Sequence, residues 1–176
     1  MPSVIGSIDN AWKRGKTTYI HHLIFTEDSL LIFDIFHKKE LRKEITQYLM
    51  SDPLTLAPFA GAQSYALYRD SKQINQHIIS EAIDAGIQIE KNLDSEISRE
   101  PPEFQRIGYA EIKSVTLGQG KHLELPFLTI QTDGENIKYH LMHNNYEKLA
   151  HLDDETFKKY ADTLKNALGE KVEIKG

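Results

Sequence analysis

The segment from Ile107 to Met142 constrains the fold of this chain more than any other part of it. Its apolar and polar residues alternate in short runs, which is typical of half-buried β-strands. The turn sequences Gly118-Gln119-Gly120 and Asp133-Gly134 separate these runs. The predicted strands are Tyr109–Leu117, 128–132 and 137–141. Irregular spacing in the first of them indicates a β-bulge. The segment therefore predicts an antiparallel meander.

A second pair of strands is predicted from Lys16 to Phe36. β-Branched and aromatic residues flank the polar turn Thr26-Glu27-Asp28-Ser29, which is typical of a β-hairpin. His21 and His22 lie within the first strand of this hairpin, so their side chains are expected on opposite faces of the sheet.

Helical periodicity replaces the strand pattern after the hairpin and again near the end of the chain. A first amphipathic helix is predicted over Lys38–Met50, because Asp52-Pro53 ends its pattern. A longer helix begins at Asp70 or Ser71, runs to about Ile97 and precedes Pro101-Pro102, which break a helix. The predicted C-terminal elements are a helix capped by Asp153 or Asp154 and ending at Leu168-Gly169, and a short strand at Lys171–Lys175.

The apolar stripe on the longer helix is wider than one buried face requires. Two interpretations are open: the helix packs between the first helix and the 53–68 loop, or its surplus face binds a second copy or a protein partner. We favour the second interpretation. The predicted interaction surface is Ile74, Ile78, Ile79, Ile83 and Ile87. In a third interpretation, the apolar 53–68 loop contacts a membrane surface.

The sequence Tyr109-Ala110-Glu111-Ile112-Lys113-Ser114-Val115, followed by a hairpin and a closing amphipathic helix, resembles the bacterial and archaeal branch of the pleckstrin-homology-like (PH-like, GRAM-like) superfamily. The segment Phe25–Ile32 is similar to the early strands of that group. The resemblance implies an α+β fold in one domain over residues 1–176: a partly open antiparallel β-barrel with a C-terminal helix. The block from Lys38 to about residue 102 then becomes a two-helix insertion between consecutive strands.

One basic cluster is a weak candidate for binding an anion. Eukaryotic relatives commonly bind phosphoinositides through basic residues in the loop between their first two strands. The comparable residues here are Lys13, Arg14 and Lys16, which surround a glycine and could hold a phosphate through charge and backbone amides. The alternative is a solvated turn that leads into a strand, and this alternative is favoured because isolated motifs are weak signals.

Metal and catalytic sites are not expected from residue spacing. The chain has 8 histidines and no cysteine. His140 and His143 would point to opposite faces of a strand, and His21 could approach His140 across paired strands, but no third ligand stands at a recognisable spacing. The sequence also lacks a nucleophile elbow, a phosphate-binding glycine loop and a dinucleotide fingerprint. We therefore expect no metal, no cofactor and no enzymatic activity.

Charge and hydropathy narrow the expected function further. A net charge of -5 argues against a nucleic-acid partner. The N-terminus lacks the pattern of a secretory signal, and the 53–68 run is too short to span a bilayer, so a cytoplasmic location is expected. The predicted function is a non-enzymatic intracellular interaction module that self-associates or binds a protein partner through the helical insertion. The alternative is a peripheral protein that binds a membrane or a phospholipid headgroup.

Overall fold

The computed structural model describes residues 2–13, 19–37, 78–120, 125–141 and 152–176. The strands are β1 (Val4–Lys13), β2 (Tyr19–Thr26), β3 (Ser29–His37), β4 (Phe104–Gly108), β5 (Ile112–Gly118), β6 (Phe127–Thr132), β7 (Asn136–Leu141) and β8 (Val172–Lys175). The helices are α1 (residues 78–91), α2 (Leu93–Ile97) and α3 (Asp154–Leu168). The predicted helix over 38–50 and the 53–68 loop lie outside the described residues.

The eight strands of the described residues form one open sheet in the order β4-β3-β2-β1-β7-β6-β5-β8. Neighbouring strands are antiparallel except β5 and β8, which are parallel. The chain is therefore a mixed α+β protein with one mostly antiparallel sheet and a C-terminal helix. The inserted segment joins β3 to β4, which are hydrogen-bonded neighbours in the sheet.

Several predicted elements are confirmed. The β2–β3 hairpin turns at Glu27-Asp28, and the β6–β7 hairpin turns around Asp133-Gly134. A register shift between Ile112 and Ser114 is the predicted irregularity in β5. The Asp153 carboxylate accepts the backbone N–H of Thr156 and so caps α3. Gly169 follows α3 with φ 58°, a conformation that favours glycine at a helix end.

Two strands were missed by the sequence analysis, and one boundary was wrong. In β1, Ile8 and Ala11 both face the core, because a bulge between them adds one residue to the strand. The period-two alternation of apolar residues is therefore lost. β4 is a short edge strand in which Ile107 is buried and both Gln105 and Arg106 are exposed. Residues Tyr109–Glu111 form a 3-10 turn, held by a hydrogen bond from the Gly108 N–H to the Glu111 carboxylate, and β5 begins only after it.

The connection from β4 to β5 requires the sheet to curl. These strands are six inter-strand spacings apart in the sheet order, which is roughly 29 Å in a flat sheet. The four residue steps from Gly108 to Ile112 can span only about 14 Å even when extended. A groove between β4 and the β6–β7 turn is lined by residues of both, including Arg106 and Glu135. The two ends of the open sheet therefore approach each other.

Both faces of the middle strands are covered, so β2 shows no exposed side. Leu23 and Phe25 belong to the main core, which includes Tyr160 and Leu164 of α3. The adjacent Ile24 lies in a second cluster with Leu93 of α2 and with neighbours on β3. α3 and the inserted helices thus pack on opposite faces of the sheet. Among the described residues, no helix has both the length and the apolar character needed to cross a membrane.

Candidate site at the junction of the sheet and the inserted helix

A β-bulge in β1 places an acidic side chain beside a buried histidine of β2. Ile8 pairs with Leu23 and Ala11 pairs with His21, so two residues of β1, Asp9 and Asn10, stand opposite His22. Asn10 adopts φ 51°, a left-handed conformation that asparagine tolerates better than most residues. Its side-chain amide donates to the backbone carbonyl of Ile79 in α1, at 3.4 Å. The bulge thus joins β1 both to β2 and to α1.

His22 is fully buried between two carboxylates from different elements. Its Nε2 lies 2.8 Å from Oε1 of Glu90 in α1, and this contact is a hydrogen bond. Its Nδ1 lies 3.0 Å from Oδ1 of Asp9. The alignment at that second contact is poor for a hydrogen bond, although Asp9 still favours the charged form of His22. The Asp9 and Glu90 side chains are 21% and 35% exposed, so solvent reaches the cluster only through its acids.

Gly86 of α1 covers the face of the His22 ring. A β-carbon at position 86 would lie 2.5 Å from Nδ1, 2.8 Å from Cε1 and 2.9 Å from Cγ. These nearly equal distances put the position above the ring face rather than at its edge. The helix therefore closes one face of the imidazole, and the contacts with Asp9 and Glu90 are made at the nitrogen-bearing edges of the ring.

The two carboxylates determine the protonation of the cluster. Burial is the largest single influence on the pKa of His22 and lowers it, but Asp9 and Glu90 together outweigh burial, so the pKa of His22 is raised. The hydrogen bond from His22 is the largest influence on Glu90 and lowers its pKa, although partial burial opposes it. Charge is thus concentrated at this junction: one imidazole and two carboxylates from three elements.

The chemistry available to this cluster is that of oxygen and nitrogen donors. Asp9, His22 and Glu90 each offer one ligand atom, and these atoms lie within 4.8 Å of one another. Imidazole with carboxylates is a donor set that borderline divalent metals accept in proteins. The same groups can also hold a proton, with the imidazolium neutralising the acids. With either a metal ion or a proton bound, the cluster attaches the inserted helix to the sheet.

The predicted interaction surface is divided by the structure. Ile78 and Ile79 are 3% and 0% exposed, so the chain itself covers them and they are removed from the predicted surface. Ile83 is half-buried, and Ile87 is 39% exposed. Ile74 lies outside the described residues. The predicted surface is thereby reduced to Ile83 and Ile87, which are one helical turn apart.

The other predicted residues do not converge on a site within the described part of the chain. Lys13 is the last residue of β1, whereas Arg14 and Lys16 lie outside the described residues. The expectation that His21 could approach His140 across paired strands is corrected, because β1 lies between β2 and β7. His21 instead contacts the Tyr139 ring edge-on and lies 3.1 Å from Asp34. His143 lies outside the described residues.

Sequence analysis missed Asp9 and Glu90 altogether. The three members of the cluster are separated by 13 and 68 residues in the sequence, so no spacing motif includes them. Two signals were nevertheless present: adjacent histidines inside an apolar strand, and Gly86 inside an otherwise helical pattern. A glycine there lowers helix propensity, and such a position often reflects a close packing contact.

Comparisons of the chain with models of known protein families, with curated proteins and with solved structures gave no match.

Proposed function

We propose that this chain is a non-enzymatic intracellular interaction module, in which the segment inserted between β3 and β4 forms the binding face and binds a second copy of the chain. The observation that supports this proposal is the exposure of Ile87 on α1. Most large apolar side chains of the described residues are buried, and the two exposed ones are Val4 and Ile87. Half-buried Ile83 lies one helical turn before Ile87, on the flank of the helix, and extends the apolar surface.

The attachment of α1 supports an outward binding face. Ile78, Ile79 and Ala82 are buried beneath the helix, and the His22 cluster holds its C-terminal half. A helix held in this way presents the same outward residues at all times. A preformed surface loses less conformational entropy on association than a mobile segment does.

The proposal includes a PH-like architecture. Its support is the curl of the open sheet, the packing of α3 on the inner face of that curl and the packing of α1 and α2 on the opposite face. These features agree with a partly open barrel closed by a C-terminal helix. An experimental structure in which β4 and the β6–β7 turn lie far apart would contradict this part of the proposal.

The association is tested by light scattering coupled to size-exclusion chromatography over a dilution series. Wild-type chain is expected to show a mass above that of the monomer that falls on dilution. Ile87→Asp is expected to be monomeric throughout, because a carboxylate would have to be desolvated in the interface. Val4→Asp is the matched control, since Val4 is 43% exposed but lies at the start of β1. Equal effects of both substitutions would contradict the proposed face.

A photo-crosslinking residue introduced at position 87, with position 4 as the control, separates a second copy from another protein. Crosslinks from position 87 to the chain itself support self-association. Crosslinks from position 87 to a different protein would mean that the face binds that protein and not a second copy of the chain. A monomeric wild-type chain without crosslinks specific to position 87 would refute the interaction module. Sedimentation of wild-type chain with anionic vesicles instead would favour the membrane alternative.

A further inference from the structure

We propose that Asp9 and His22 bind a divalent transition-metal ion of the Zn²⁺ type, with Glu90 orienting the imidazole. The inference goes beyond the interaction function and does not depend on it. Its basis is the position of three donor groups from β1, β2 and α1 in one partly enclosed cluster. The ion would bind where the inserted helix meets the sheet.

The hydrogen bond to Glu90 assigns the roles of the two ring nitrogens. Because Nε2 lies 2.8 Å from Oε1, the neutral imidazole that donates its Nε2–H to Glu90 has a lone pair on Nδ1. Carboxylates commonly accept the second N–H of a metal-binding histidine, and this contact sets the tautomer and the ring orientation.

The distance between His22 and Asp9 suits two ligands of one metal ion. Metal–ligand bonds of about 2.1 Å place adjacent ligand atoms roughly 3.0 to 3.4 Å apart. Nδ1 and Oδ1 are 3.0 Å apart, and their alignment is poor for a hydrogen bond. Since Gly86 lies above the ring face, the in-plane direction of the Nδ1 lone pair is not blocked by a side chain at position 86.

Charge also favours a cation at this position. With a neutral imidazole, Asp9 and Glu90 place two negative charges in a partly buried cluster. Within the described residues, the ion pairs of both carboxylates are with His22 alone. Lys159 acts on Glu90 only through longer-range electrostatics. A bound divalent ion would balance both charges, and the solvent-facing sides of the acids leave room for water ligands.

The rival occupant is a proton on Nδ1, which would make His22 an imidazolium between two acids. A proton there is favoured by both carboxylates, which raise the pKa of His22, but it would donate to Asp9 at a poor angle. A metal ion needs no linear alignment of the two donor atoms. The two occupants compete, because a metal ion binds the unprotonated nitrogen. Direct titration with the metal ion distinguishes between them.

The test is calorimetric titration of the untagged chain with Zn²⁺ at slightly alkaline pH, with Mg²⁺ as the reference ion. A single Zn²⁺ per chain is expected, and Co²⁺ is expected to produce visible absorption bands from nitrogen and oxygen ligands. Asp9→Asn should weaken Zn²⁺ binding at least tenfold. Glu90→Gln should weaken it about tenfold, in the range found when a residue that orients a ligand is lost.

Asp34→Asn is the matched control, because Asp34 also lies close to a histidine Nδ1, at 3.1 Å, but its side chain is 61% exposed and pairs with a different histidine. This variant should bind Zn²⁺ as the wild-type chain does. The proposal is overturned if the wild-type chain does not bind Zn²⁺, if Asp9→Asn binds it unchanged, or if Asp34→Asn loses as much affinity as Asp9→Asn. Circular dichroism verifies the fold of each variant. If Asp9→Asn does not fold, the Zn²⁺ affinity of Glu90→Gln and the visible spectrum of the Co²⁺-bound wild-type chain test the proposal instead.

The metal titration is also independent of the association test. Light scattering during the titration reports whether the chain is monomeric. Zn²⁺ binding by a monomer would support the metal site and leave the interaction face to be judged by Ile87→Asp. A chain that associates but ignores Zn²⁺ would refute the metal site alone.

Discussion

The backbone of Gly86 lies directly against the imidazole of His22, so closely that a β-carbon at position 86 would stand 2.5 Å from Nδ1. Real β-carbons do not approach another heavy atom to this distance. The inserted helix can therefore reach the sheet, and Glu90 can reach His22, only because residue 86 has no side chain. One glycine in α1 thus sets the distance between the helix and the sheet.

Gly86→Ala is expected to destabilise the fold by about 1–3 kcal/mol, the usual cost of overpacking a well-packed position. The loss should appear although alanine is the better helix former by about 1 kcal/mol. Urea unfolding followed by circular dichroism measures it. Gly134→Ala is the control, because a β-carbon there meets nothing within 4 Å; it should change stability by less than about 0.5 kcal/mol. If Gly86→Ala were as stable as Gly134→Ala, α1 would be able to move away from the sheet with no loss in the free energy of unfolding.

A second prediction concerns Asp28 in the β2–β3 turn. Hydrogen bonds from Ser29 Oγ, at 2.7 Å, and from Thr26 Oγ1, at 3.0 Å, lower the pKa of its carboxyl group. A lowered pKa means that these bonds stabilise the fold above the ordinary aspartate pKa, and that this stabilisation is lost as the pH falls through the folded value. Ser29→Ala should raise the pKa of Asp28 in an NMR titration of the carboxyl carbon. Ser98→Ala, which removes an exposed serine of the inserted segment, should leave it unchanged.

A third prediction concerns the turn that carries the chain from β4 to β5. The Tyr109 hydroxyl donates to the backbone carbonyl of Thr26 at 2.6 Å, and the Tyr109 N–H donates to the carbonyl of Asp28 at 3.2 Å. These bonds join two turns that are distant in sequence. Tyr109→Phe should reduce the free energy of unfolding by about 1 kcal/mol, the net value of one such hydrogen bond.

Urea denaturation at neutral pH measures that loss, with an unchanged dependence on urea concentration as evidence that the same fold unfolds. Burial raises the pKa of Tyr109, so its hydroxyl stays protonated and donates throughout this range. If Tyr109→Phe were as stable as the wild-type chain, the hydrogen bond to Thr26 would stabilise the fold no more than hydrogen bonds to water stabilise the unfolded chain.

The sequence predicted strands most reliably where one face of a strand is buried and the other is not. β6 and β7 alternate because their outward residues are at least partly exposed, and the residues at their turn indicate a hairpin. The β2–β3 hairpin was found from its β-branched and aromatic residues, although its middle is buried on both faces. β1 was not found, because the bulge at Asn10 breaks the alternation, and a bulge depends on what the strand must contact on each side.

The sequence alone determined which parts of the chain form strands around the two hairpins, where α3 begins and ends, and that a helical block interrupts the strands. These features depend on interactions between residues close in sequence, namely periodicity, caps and turn residues. Tertiary structure alone decided the sheet order, the burial of Ile78 and Ile79, and the meeting of Asp9, His22 and Glu90. Such contacts join residues far apart in the chain, and their distances follow only when the strands pair and the helix packs.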